Sequence, residues 1–314
     1  MKAVIHIGTQ KTGTTTIQSF LALNRPSLSS QGVRIQPFTA RNIAHMELGL
    51  AGIVRAGDVL QSPSKLHAMK IKDRASQVAY VDRFEAMLRE GVTRWPEHSY
   101  LASSEQIHAW LFNEARIAAL HGFLTDIFDE VRYVVYYRPQ EDFMLSTYSE
   151  CIRRGDRVTL DAHIETQLNR QNFFRRASLW AKVVGRDNLT VRLFDKTAMH
   201  GGDLLDDFCA VAGIDRAPLV TPPRQNLSLS AEEIDLFLRL GKRINTRLRT
   251  GGPNPLFVGL NALLKRRLPR PGTRVQLSPE QRARIRAANA QSNEKLRQTF
   301  FPERPTLFCT NPQG

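Results

Sequence analysis

The residues best placed to do chemistry lie near the N-terminus, where Ile5 to Gln18 read IHIGTQKTGTTTIQ. A β-branched run feeds glycines, a lysine and a cluster of threonines, and a helix-forming pattern follows. Such a turn brings several backbone N–H groups and the positive end of a helix dipole to one point, which makes an anion site. Gly8 and Gly13 have the glycine spacing of the G-x-x-x-x-G-K-[ST] loop. Thr14, however, stands where those loops carry lysine, and the lysine of this chain, Lys11, lies inside the loop. From that position an ammonium reaches a bridging oxygen of a 5′-phosphate rather than β- and γ-phosphates. No aspartate closes an apolar strand in the manner of a magnesium ligand.

A second anion grip follows the strongest strand signal in the chain. Val134-Val135-Tyr136-Tyr137 ends in Arg138, Pro139 turns the chain, and Ser146 lies eight residues beyond Arg138 on the next helical pattern. An arginine at the carboxyl end of a parallel strand sits on the ligand-binding edge of an open sheet. Its guanidinium can hold a phosphate bidentately, and a helical hydroxyl two turns on adds a further hydrogen bond. Arg138 alone reads as a strand-end ion pair; with the loop it reads as a phosphate ligand.

These two elements resemble the nucleotide site of sulfotransferases. The family's 5′-phosphosulfate loop, (P/Q)-K-(S/T)-G-T-T, is matched here by Gln10-Lys11-Thr12-Gly13-Thr14-Thr15, with Thr16 extending the threonine run. Its 3′-phosphate element, a strand-end arginine with a serine on the next helix, is matched by Arg138 and Ser146. The segment FFRRASLWAKVVGRDNLTVRLFD, residues 173–195, is similar to the stretch before the family's last core strand. The resemblance covers about residues 3–212 and is nearest to bacterial and carbohydrate-type members. It implies 3′-phosphoadenosine 5′-phosphosulfate (PAPS) as co-substrate, adenosine 3′,5′-bisphosphate (PAP) as product, and no metal. The R-K-G…G-D-W-K-N segment that clamps the 3′-phosphate in the cytosolic small-molecule enzymes has no counterpart here. Whether Arg224 or Arg266-Arg267 replaces it is open, and solvated charge is the plainer reading of all three.

Sulfuryl transfer to a hydroxyl needs positive charge at the leaving phosphate oxygen, which Lys11 and the loop amides supply, and a base for the acceptor proton. Two residues compete for that role. Glu105 ends the run Leu101-Ala102-Ser103-Ser104-Glu105, expected as a strand beside the phosphate-loop strand. His45 follows the second strand, at a place where family members often carry histidine, and an unperturbed imidazole suits base work at neutral pH. His6, facing out of a buried strand, and His108, one turn into a helix, read as structural. Trp180 reads as core packing, as do Phe173 and Phe174.

The elements that must position these groups alternate between strand and helix signals. Strands are expected at 3–7, 33–37, 100–103, 131–137 and 189–194. Helices are expected at 14–23, 75–90, 114–128, 140–153, 173–184 and 204–212. This pattern predicts an α/β fold, a P-loop-like open parallel sheet flanked by helices. After Pro222-Pro223 the strand signals stop. Helices near 231–248 and 279–299 flank a basic, Gly/Pro-rich stretch at 250–274. The expected boundary separates an α/β core, 1–222, from a basic helical extension packed on it, 223–314.

Length and charge agree with this reading without selecting it. The chain has 314 residues, 44 basic against 30 acidic, and a formal net charge of +14. Such an excess favours anionic partners: phosphates, acidic glycans, nucleic acid or an anionic membrane surface. Three widely spaced cysteines, Cys151, Cys209 and Cys309, suit small half-buried hydrophobes in a reducing compartment. No apolar run approaches a membrane span and no signal peptide is evident, so a cytoplasmic protein is expected.

The resulting expectation is a sulfotransferase acting on a hydroxyl or amine, with a glycan or glycolipid as acceptor and no nucleic-acid partner. A P-loop nucleotide kinase is the first alternative. The second is a nucleic-acid-binding protein using Arg247, Arg249, Lys265, Arg266, Arg267, Arg270 and Arg274, a cluster without interleaved aromatics. The sequence leaves the oligomeric state open.

Overall fold

The computed structural model describes residues 1–39, 43–223, 228–246, 248, 254–269 and 271–309. Five parallel strands form one open sheet: β1 (Lys2–His6), β2 (Val33–Arg34), β3 (Ser99–Ser103), β4 (Glu130–Tyr137) and β5 (Leu189–Leu193), in the spatial order β2-β3-β1-β4-β5. Helices flank it, as expected for an α/β fold. Described in chain order, they are α1 (Thr14–Leu23), α2 (Arg25–Ser30), α3 (Met46–Arg55), α4 (Pro63–Ala68), α5 (Arg74–Arg94), α6 (Glu105–Trp110) and α7 (Glu114–Thr125). Then follow α8 (Gln140–Arg154), α9 (Leu160–Gln167), α10 (Phe173–Val184), α11 (Leu204–Ala212), α12 (Ala231–Arg243), α13 (Pro255–Lys265) and α14 (Pro279–Phe300). Among the described residues no helix is long and apolar enough to cross a membrane.

The chain divides into two compact units, Met1–Tyr137 with Phe173–Pro223, and Arg138–Asn172 with Arg224–Gly314. Residues 138–172, which lie on the core side of a boundary at 222, therefore group with the C-terminal residues. Packing explains this. Tyr148 and Ile152 of α8 form one apolar cluster with Leu229, Ile234 and Phe237 around α12 and with Phe257 of α13. Met144 of α8 forms another with Ile164, Leu277 and Ile285.

In the first unit the central strands are buried on both faces, which is why β1 and β4 read as nearly continuous apolar runs. β1 lies between β3 and β4, with Ile5 opposite Ala102 on one side and Tyr133 on the other. The chain builds outward from β1 to β2 and β3, then returns past β1 to β4 and β5. The carboxyl end of β1 is thus at the switch point, where open α/β sheets bind ligands.

One helix that the sequence did not predict, α3, and the early start of another, α6, have physical explanations. α3 contains Gly49 and Gly52, which weaken helix propensity. They also permit close approach, since a β-carbon would meet the Trp110 ring at 2.9 Å and the Leu111 methyls at 2.8 Å. α6 begins at Glu105, so the expected strand end is the first residue of a helix that Ser104 caps from extended backbone.

Candidate active site

The loop from Gly8 to Gly13 leaves the carboxyl end of β1 and is fixed by its threonines. The Thr9 hydroxyl donates to the Tyr136 carbonyl of β4 at 2.6 Å, tying the loop to the neighbouring strand. Thr12 and Thr14 both donate back to the Thr9 carbonyl, at 2.8 and 3.1 Å, and Thr12 is fully buried. Hydroxyls thereby hold the turn from within. The α1 N-terminus has no acidic residue in its first turn and no side-chain cap; Gly13 caps it in a left-handed conformation, φ 76°. By contrast Asp73, Asp203, Ser230 and Ser278 cap α5, α11, α12 and α14 with their own oxygens.

Backbone geometry explains the residue types. Gly8 has φ 54°, and a β-carbon there would lie 3.0 Å from the Glu105 Cα, so the loop passes directly over the start of α6. At Gly13 a β-carbon would lie 2.3 Å from a Leu204 methyl. Lys11 has φ 65°, a left-handed conformation that non-glycine residues adopt sparingly and that clusters at ligand sites. Gln10 and Thr15 are exposed, while Lys11, Gly13 and Thr16 are half-buried.

The structure brings Glu105 to this loop. Gln106 donates to its Oε1 at 3.4 Å, and the residue is partly accessible. The backbone on either side of it is anchored at the end of β1 at two points. Ser104 N–H donates to the His6 carbonyl at 2.9 Å, and His108 N–H to the Ile7 carbonyl at 3.1 Å.

His45 adjoins the same strand end. Its ring Nδ1 lies 3.2 Å from the Ser103 N–H, and its own N–H donates to the Ser103 carbonyl at 3.1 Å. It is 1% exposed, and burial lowers its pKa to about 4. The neutral-pH titration expected of an unperturbed imidazole is therefore displaced downward by desolvation. Residues Ala40, Arg41 and Asn42, just before it, lie outside the described residues, as do Arg224, Arg247, Arg249 and Arg270.

His6 does not face outward; it is fully buried at the end of β1. Its Nδ1 pairs with the Ser103 hydroxyl at 2.8 Å, and its ring meets Tyr136 and Phe208 edge-on. Desolvation lowers its pKa to about 3. Both histidines are neutral in the fold and become charged in the unfolded chain below pH 6.5, where the unfolded state binds more protons. Stability should therefore fall as pH drops from about 6.5 towards 4, by up to about 1.4 kcal/mol per pH unit for each. Denaturant melts at pH 7 and pH 5 check this, and His6→Gln should flatten the slope; an unchanged slope would contradict the assignment.

The other predicted ligands belong to the second unit. Arg138 follows β4 directly in the chain, and its Nε lies 3.7 Å from an Asp142 oxygen. Burial is the main cause lowering its pKa, and Arg274 lowers it further while Asp142 opposes. Ser146 stands one helical turn beyond Asp142 on α8, half-buried. Trp180 is buried against Tyr133, ring centroids 5.4 Å apart, and Phe173 stacks on Tyr137 at 4.6 Å, so both serve the core.

Two contributors carry no distinctive sequence signal. Thr9 is one polar residue in a polar loop, and only the sheet shows that it reaches Tyr136. Asp207 is fully buried on α11, where it accepts from the Tyr136 hydroxyl at 2.7 Å, Arg192 Nε at 3.0 Å and the His200 N–H at 2.8 Å. A carboxylate at a helical position reads as solvated until its partners are known.

No family model matches the chain, and no curated protein matches it. Among solved structures, the crystal structure of a sulfotransferase from Alicyclobacillus acidocaldarius is similar over 95% of this chain and 94% of that chain. The sequence identity is 13% and the TM-score 0.49. At that level the likeness assigns no substrate and no residue role, which rest on the chain's own residues.

Proposed function

We propose that the protein is a sulfotransferase that moves the sulfuryl group of PAPS to a hydroxyl or amine of an acceptor, a glycan or glycolipid. The observation that carries this reading is the loop after β1. A lysine in left-handed conformation stands inside a threonine-braced turn, at the switch point of a parallel sheet and over the start of the helix that opens with Glu105. The sequence of that loop, Gln10-Lys11-Thr12-Gly13-Thr14-Thr15, is the part that resembles the family.

In this reading Lys11, the loop amides and Thr14 to Thr16 hold the 5′-phosphosulfate, and Arg138 and Ser146 hold the 3′-phosphate. The acceptor oxygen attacks sulfur as the bond from sulfur to the 5′-phosphate oxygen breaks. Charge grows on that oxygen, and Lys11 with the α1 dipole stabilises it. The acceptor proton passes to a base. Glu105 suits this role better than His45, because it is accessible at the loop, whereas His45 is enclosed and held on the Ser103 backbone. His45 then acts as a positioning residue for the β3 end.

Calorimetric titration with adenosine 3′,5′-bisphosphate and with ATP, without added metal, tests the reading. Tight binding of the bisphosphate and weak binding of ATP are expected. Magnesium-dependent preference for ATP would favour a kinase instead. Arg138→Ala should weaken the bisphosphate roughly tenfold to a hundredfold, the worth of a charge-assisted hydrogen-bond pair, with little effect on adenosine 5′-phosphate. Equal weakening of both ligands would remove Arg138 from the 3′-phosphate.

A further inference from the structure

Helix α13 inverts the usual arrangement of a helix on a protein surface. From Pro255 to Leu264 Asn261 is the one polar residue, and it is buried, 8% exposed. Phe257, on the same side, packs on Phe237 with ring centroids 5.7 Å apart. The opposite side is turned outward and is apolar: Leu256 is 66% exposed, Val258 50% and Leu263 54%, with Gly259 and Ala262 between them. A helix of a water-facing surface places polar residues there. Among the described residues eight large hydrophobic side chains are exposed, and four of them, Leu248, Leu256, Val258 and Leu263, fall in this one segment. Clustering of that kind marks an interaction surface, where singly scattered residues would not.

Charge identifies the partner. Residues 247–274 carry seven basic side chains and no acidic one, half of the chain's net charge of +14 in 28 of its 314 residues. Lys265 ends the helix beside Glu233 at 2.8 Å, and Arg266 and Arg267 follow it at the surface. An exposed aliphatic face that runs into arginines matches a bilayer interface, with acyl chains for the leucines and acidic headgroups for the arginines. Nucleic acid would use the arginines but offers little to Leu256, Val258 and Leu263.

We propose that α13 and the basic residues after it dock the protein on an anionic membrane surface, with Leu256, Val258 and Leu263 inserted at the headgroup level. This surface is independent of the sulfuryl-transfer chemistry, and its test reads no activity.

The full-length protein is sedimented with vesicles of phosphatidylcholine alone and of phosphatidylcholine with about one-third phosphatidylglycerol. Binding is expected to the acidic vesicles, at least roughly tenfold stronger than to the neutral ones, and to fall in high salt because the charges are screened. Leu256→Ser with Leu263→Ser should lower it at least roughly tenfold. The melting temperature should fall little, since both side chains are more than half exposed. Arg266→Ser with Arg267→Ser should lower acidic-vesicle binding and leave the neutral baseline unchanged. Equal binding to both vesicle types, or unaltered binding by the leucine double variant, would overturn the proposal. So would tighter binding to duplex or single-stranded DNA than to acidic vesicles. A dimer in solution that the leucine double variant dissolves would assign the face to a second copy of the chain instead.

Discussion

Lys11→Ala is expected to leave the fold intact and to lower turnover by roughly a hundredfold to a thousandfold, the usual cost of removing one preorganised donor from a developing oxyanion. Two features of the structure favour retention of the fold. Lys11 is half-buried and already occupies a left-handed conformation, and alanine pays the same backbone cost there. The threonine hydrogen bonds that brace the turn involve Thr9, Thr12, Thr14 and the Tyr136 carbonyl, not the lysine side chain. Lys11→Gly provides the control, because it removes the ammonium and relieves the backbone as well. If charge is what matters, both variants lose turnover equally, while the glycine variant melts no lower than the alanine one. A lysine that only shapes the loop would instead give a glycine variant with near-normal turnover of PAPS.

Asp207→Ala should produce the largest loss of stability, about 3–5 kcal/mol, enough to leave a chain of marginal stability substantially unfolded. The carboxylate is fully buried and joins three elements: Tyr136 of β4, Arg192 of β5 and the His200 backbone before α11. Removing it leaves the buried Tyr136 hydroxyl without its acceptor and the Arg192 guanidinium with the Ala198 carbonyl but without its counter-charge, and a broken buried pair costs more than an absent one. The Tyr136 carbonyl also receives Thr9, so nucleotide affinity should fall in the same variant. Urea unfolding followed by circular dichroism measures the first effect, and Asp207→Asn should recover part of it by keeping a hydrogen-bond acceptor. A loss below about 1 kcal/mol would mean that the network is solvated rather than structural.

Much of the first unit was legible in the sequence because local signals there agree with tertiary packing. Helices at 14–23, 173–184 and 204–212 have the bounds that apolar periodicity and their glycine or proline stops indicate. The central strands β1 and β4 were readable because a parallel sheet buried on both faces requires nearly continuous apolar runs, whereas the edge strand β2, expected over 33–37, extends only over Val33–Arg34. The loop after β1 was readable for a related reason. Only glycine is comfortable at Gly8 and Gly13, so the turn leaves its mark in residue type. In the C-terminal residues the signal was weaker. A stretch rich in glycine, proline and arginine hides α13, which packs through Phe257 and leaves an apolar face outward.

What the sequence by itself determined was local: a glycine- and threonine-rich turn on a strand–helix junction, and the α/β succession that carries it. Tertiary structure alone decided which long-range partners those residues meet. It set the strand order β2-β3-β1-β4-β5, which places β1 at the switch point, and it laid Gly8 against the backbone of Glu105. It also decided the electrostatics. His6 and His45 have the same intrinsic basicity as any imidazole, yet their removal from water lowers them to about 3 and about 4. Residue type and spacing are local properties and can be read along the chain. Burial and pairing across a hundred residues depend on how the sheet closes, and so does the role left to each ionisable group.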